Sequence, residues 1–223
     1  MRIRPILFNG DMVRAILDGR KTCTRRVVKT RRKDACGFYV TKRTDGSFTG
    51  IYEYDEDERM FENQLIPPYK PGDILYVLET WHRYTKRVGK GEGCHLEEHY
   101  GYKASIANSE DAEEPWKPSI HMPKEAARIW LQVTDVWVER LQDIAPKDAK
   151  NEGVGNLFYE DIGYSGKDYG TEVDSEYGIA KEQFAWLWDS TIKKADLDCY
   201  GWDANPWVWV IEFERCEKPE ESE

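Results

Sequence analysis

Near the end of the chain, Trp207-Val208-Trp209-Val210-Ile211-Glu212-Phe213 is apolar at almost every position. A strand with one face in water alternates apolar and polar residues, so this one needs cover on both faces. Whatever the chain folds into must place 207–213 in the middle of a sheet or in the wall of a barrel. Three further segments supply neighbours for it. Arg2 to Phe8 reads as a short strand, and Ile74 to Trp81 as a strand launched by the turn Pro67-Pro68-Tyr69-Lys70-Pro71-Gly72-Asp73. In that turn proline presets φ and Gly72 supplies the left-handed position. Arg128 to Leu141 is a long strand with Ile129, Leu131 and Val133 on one face and Trp130, Gln132 and Thr134 on the other.

Helices punctuate these strands. Asn9 or Asp11 offers a side-chain oxygen to cap a helix through Met12, Val13, Ile16 and Leu17, and Gly19 stops it. Pro146 to Glu152 predicts a short helix with proline at its first position and Gly153 at its end. Phe184, Leu187, Trp188 and Thr191 recur at three and four residues, which predicts an amphipathic helix over 179–192. A hairpin is expected around Asp45-Gly46. Few helices among separated strands predict an α+β chain, built as a small, mostly antiparallel β-barrel with flanking helices.

The 223 residues fit one domain, 1–216, with insertions at about 83–117 and 154–178, where branched apolar residues are sparse. Residues 217–223 are an acidic tail. No apolar run approaches the roughly 20 residues of a membrane span. The first residues carry no long apolar core ahead of a small-residue cleavage site, so the expected compartment is the cytoplasm. Five irregularly spaced cysteines fit reduced thiols there. Net charge is -10, yet residues 1–43 hold thirteen Lys/Arg against Asp11, Asp18 and Asp34, a local +10 that leaves -20 for the rest. The overall balance argues against a general duplex binder, while one basic face could still meet an anion.

Within that basic stretch lies Gly19-Arg20-Lys21-Thr22-Cys23-Thr24-Arg25-Arg26, at a helix-to-strand junction. A threonine hydroxyl becomes a nucleophile only beside a base, and a lysine serves as one where burial or neighbouring cations hold down its pKa. The nearby arginines are such cations. Taken by themselves, the same residues also fit a solvated basic loop.

Gly19 to Arg26, the turn and strand Lys70 to Trp81, the stretch Arg128 to Gly153 and the closing Trp207 to Phe213 together resemble the ASCH domain family, whose fold is a PUA-like β-barrel. The likeness covers about half the chain, leaves the insertions unmatched, and is strongest to the longer phage and prophage members. It implies a cleft for a nucleoside or an RNA base. In one bacterial branch that cleft hydrolyses the acyl amide of N4-acetylcytidine with a lysine, a threonine and a glutamate. The matching positions here are Lys21 as base, Thr24 as nucleophile and Glu152 as support. That reaction needs no metal, and no cofactor is expected. The alternatives are a PUA-like module that binds single-stranded RNA without chemistry, through Arg20, Lys21, Arg25 and Arg26, and a phage accessory protein acting through protein contacts.

Glu79 and Trp81 are further binding candidates. Glu79 shares an alternating face with Leu75, Val77 and Trp81, as a ligand group or as the partner of an arginine such as Arg25 or Arg26, and Trp81 could stack on a base or belong to the core. Cys94, His95 and His99 lie within six residues but match no standard zinc spacing, so no metal site is expected. His82 and His121 read as structural.

Overall fold

The computed structural model describes residues 1–90, 93–106, 115–154 and 176–220. It is a mixed α+β structure of ten strands and four α-helices among those residues, divided into two compact units. One unit comprises Met1–Gly19, Gly72–Gln132 and Glu214–Glu223; the other comprises Arg20–Pro71 and Val133–Phe213.

In the first unit, β1 (Ile3–Leu7) runs parallel to β6 (Ile74–Leu78), and β6 pairs antiparallel with the start of β9 (Trp130–Arg140). Gly72 adopts a φ of 84°, as the turn requires, and Asp73 accepts the Arg2 amide at 3.1 Å, which aligns the two strands. Helix α1 (Gly10–Leu17) is capped by the Asn9 side chain, which accepts from the Met12 amide at 2.9 Å, and it buries Val13, Ala15 and Ile16. Gly19 ends it at a φ of 74°.

Strands β7 (Trp81–Val88) and β8 (His95–Tyr102) form a two-stranded hairpin, in register from Trp81↔Tyr102 to Val88↔His95. The expected excursion at 83–117 is therefore partly regular structure anchored to a core. Aromatic rings replace the missing branched residues: Tyr100 and Tyr102 pack with Trp81 against Ile74, Met122, Ala126, Ala127 and Trp130. Residues 107–114 lie outside the described residues, as do 155–175 of the second expected insertion and 221–223 of the tail.

The second unit contains β2 (Cys23–Val27), antiparallel to β10 (Trp207–Cys216) through Val27↔Val208 to Cys23↔Glu212. A separate three-stranded sheet is made by β3 (Gly37–Lys42), β4 (Phe48–Tyr54) and β5 (Met60–Gln64), with the expected turn at Gly46. Helix α2 (Pro146–Asn151) begins with its proline, α3 (Glu176–Thr191) covers most of the helix expected over 179–192 but is buried on more than one face, with Glu182 and Gln183 buried beside Phe184 and Ala185, and α4 (Leu197–Tyr200) follows. Leu141, Ile144, Ala149, Phe184, Ala185, Trp188, Trp202, Val208 and Val210 form the core here.

The expected closed barrel is not formed. The strand order is β1-β6-β9 in the first unit and β9-β10-β2 in the second, with residues of β9 in each. Closure requires every strand to be hydrogen-bonded on both sides, whereas β1 pairs with β6 and β2 with β10. The apolar run of β10 is explained without closure, because β10 sits between β9 and β2 with both neighbours bonded. No helix among the described residues is long and apolar enough to cross a membrane.

Candidate functional site

The basic motif enters the second unit through an isolated bridge between Lys21 and Glu152, supported by the Thr22 amide donating to the Asn151 carbonyl at 2.9 Å. Glu152 is the C-terminal cap of α2, and Gly153 turns the chain away at a φ of 91°. Helix and strand thus deliver a cation and a carboxylate to one buried point. Lys21 Nζ donates to Glu152 Oε2 at 2.6 Å and to the Glu152 carbonyl at 2.9 Å. Arg25 Nη1 reaches Glu152 Oε1 at 3.1 Å, while its Nε and Nη2 hold Glu139 Oε1 at 2.9 and 2.7 Å. Trp137 Nε1 donates to the other Glu139 oxygen at 3.0 Å, and the Arg25 guanidinium lies 5.7 Å from the centre of the Phe184 ring. Arg20 donates to the Gly153 carbonyl at 2.8 Å.

Two cations and two carboxylates therefore neutralise one another, with Lys21, Arg25 and Glu152 buried and Glu139 half-buried at the edge. Burial alone would lower the Arg25 guanidinium, but Glu152 and Glu139 outweigh it and the value is raised. Cys23, on the same face, has its thiol pushed up to about 12, first by burial and then by the Glu152 charge.

Period-two alternation decides where Thr24 goes. Cys23, Arg25 and Val27 face α2 and α3; Thr24, Arg26 and Val28 project to the opposite side of the strand. Thr24 is buried and stands opposite Ile211. The three expected catalytic positions thus divide: Lys21 and Glu152 meet, and Thr24 lies on the Arg26 face.

That other face carries a groove of about 420 Å³. Arg26, Lys29 and Arg31 supply cations, Tyr69 and Trp209 supply rings, and Leu65, Ile66 and Pro68 complete the walls. Trp209 is the cross-strand partner of Arg26 and meets Phe48 edge-on at 6.2 Å. The buried Glu53 carboxylate accepts the Arg31 and Arg32 amides at 2.6 and 3.3 Å, which pins the loop bearing the cations. Burial pulls the Arg26 guanidinium below its ordinary value, and Glu152 and Tyr69 act against that pull. Of the expected basic patch, Arg25 is withdrawn into the ion-pair network with a side chain 0% exposed, while Arg26 remains at the groove. Sequence reasoning missed Lys29, Arg31, Tyr69 and Trp209 as one set; the only signal was the local excess of basic residues.

Glu79 and Trp81 belong to the first unit. Glu79 follows the last residue of β6 and Trp81 opens β7, so they do not share a strand as expected. Both Glu79 oxygens are held by Arg128, at 2.8 and 2.9 Å, rather than by Arg25 or Arg26. Trp81 is a core residue, with the Lys117 ammonium 5.1 Å from its ring centre. His95 Nε2 donates to Glu97 Oε1 at 2.8 Å, and no group of three or more His, Cys, Asp or Glu is arranged to hold a metal ion among the described residues.

No family model matches the chain, and neither a curated protein nor a solved structure does.

Proposed function

We propose that this chain binds single-stranded RNA or a nucleotide through the groove of the second unit, in keeping with its resemblance to the ASCH family. One observation carries the reading: Arg26, Lys29 and Arg31 surround a groove walled by Tyr69 and Trp209. A ribbon of phosphates and flat bases is recognised by that pairing of cations with aromatic faces, whatever the base sequence. Anisotropy titrations of a short single-stranded RNA at several salt concentrations test it. The slope of log affinity against log salt should be about -0.7 for each phosphate neutralised, and Lys29→Ala/Arg31→Ala should shallow it by about 0.7 per lost contact. No binding at low salt, or a slope the double variant leaves unchanged, removes this reading.

A second reading is favoured by the contact of Lys21 Nζ with Glu152 Oε2 at 2.6 Å. It is hydrolysis of an acyl amide on a modified pyrimidine nucleoside, with Thr24 as nucleophile, Lys21 as base and Glu152 as support. It ranks below the first because the Thr24 hydroxyl lies on the other side of β2 from that pair. Wild-type protein should then release acetate from N4-acetylcytidine, and Thr24→Val should abolish release while keeping the fold. Absence of turnover by the wild type dismisses it.

A further inference from the structure

We propose that Arg26 gives the groove of the second unit a preference for guanine at one position of a bound strand. This preference rests on RNA binding at that groove and adds a base class to it. The cations of the groove stand at two depths. Lys29 and Arg31 are exposed on the loop after β2, whereas Arg26 is half-buried within the strand itself. Cations open to water suit the phosphates of a strand, contacts that position the backbone without reading a base. The deeper cation is within reach of what lies in the groove rather than along its rim.

The surroundings of Arg26 are flat and apolar. Trp209 is its cross-strand partner, so the two side chains are neighbours on one face of the pair. Tyr69, the other ring of the groove, is near enough for its hydroxyl to act on the Arg26 guanidinium. Leu65, Ile66 and Pro68 supply apolar wall. Both rings thus adjoin one guanidinium, and a base stacked on either has its edge within reach of Arg26. Apolar walls and ring faces hold a base better than a phosphate, whose charge is costly to strip of water.

The chemistry of the guanidinium then ranks the bases. Its N–H groups form a rigid fork that matches two adjacent acceptors. Guanine carries such a pair in O6 and N7, whereas adenine sets an amino group beside N7, which would meet the fork donor to donor. On the corresponding edge cytosine presents an amino group and uracil a single oxygen. Arg26 Nη1 makes one long contact, 3.5 Å, to the Arg25 carbonyl, and of the five N–H groups of a guanidinium a guanine edge asks for two. Partial burial strengthens those bonds by keeping competing water away. The rings and the rim cations accept any base, and the fork favours one.

The test is fluorescence anisotropy of the full chain at one low salt concentration with labelled UUGUU, UUAUU, UUCUU and UUUUU RNA, and with UUGUU carrying 7-deazaguanine. Wild-type protein should bind UUGUU at least about fivefold more tightly than the other three, as one bidentate contact predicts. The 7-deaza base lacks N7 and should forfeit most of that advantage. In Arg26→Lys, which keeps a charge and loses the fork, the ratio of guanine to adenine affinity should fall toward one. A substitution that only disturbed the fold would weaken both RNAs alike and keep the ratio. Equal affinities for the four RNAs, a preference for another base, an undiminished 7-deazaguanine RNA or a wild-type ratio in Arg26→Lys would each overturn the guanine preference while RNA binding stands. Failure of every RNA to bind removes the RNA reading, and the preference falls with it.

Discussion

At the scale of single residues, the question is what Lys21, Arg25, Glu139 and Glu152 do together. A buried ion pair is weak evidence for net stabilisation, because taking the charges out of water costs several kcal/mol each. Removing one partner is another matter, since it strands the other charge. Glu152→Gln is expected to lower unfolding stability by about 3–5 kcal/mol, read from urea denaturation, because Lys21 and Arg25 both lose a carboxylate. A loss below about 1 kcal/mol would mean that the network is effectively solvated. Cys23 adds a pH dependence of defined sign. Its thiol is raised from 9.0 to about 12, so burial favours the fold fully below 9.0, and that contribution is lost as pH rises toward about 12.

At the scale of elements, the hairpin β7–β8 shows how one glycine sets a packing arrangement. Gly101 stands opposite His82, whose ring lies across it, wedged 4.5 Å from the Trp116 centroid and 5.5 Å from that of Tyr84. A Cβ at position 101 would overlap the imidazole, and the flanking rings leave it little room to move. Gly101→Ala should therefore destabilise by about 1–3 kcal/mol in thermal unfolding, and His82→Ala in the same chain should recover most of the overlap cost. Equal losses in the single and double variants would mean that the overlap is relieved elsewhere. The same hairpin explains why residues 83–117 read as an excursion. Its burial comes from Tyr100, Tyr102 and Trp81, and tyrosines set among histidine, glycine and charged residues leave a weak apolar signal.

At the scale of the whole molecule, the uneven charge has a structural consequence. Of the basic residues in 1–43, Lys21 is consumed by the buried Glu152, Arg25 by Glu152 and the half-buried Glu139, and Arg32 pairs with Asp34 at 2.9 Å. The basic excess left at the surface is thus smaller than the local +10, and Lys29 and Arg31 are the part of it that lines the groove beside the more deeply set Arg26. Local patterns alone determined a cap at Asn9 or Asp11, the stops at Gly19 and Gly153, the turn at Gly72, a helix at α3 and the need of β10 for cover on both faces. Each depends on residues adjacent in sequence or on one strand's own alternation, and such signals need no knowledge of the rest of the chain. The open sheet, the union of Glu152 with Lys21 across 131 positions, the capture of Glu79 by Arg128 and the groove were decided by tertiary structure. The physical reason is that side chains distant in sequence meet only when strand pairing and register are set. Lys21 and Thr24 show the limit most directly: three positions apart in the motif, they are sent to opposite sides by a strand whose period is two.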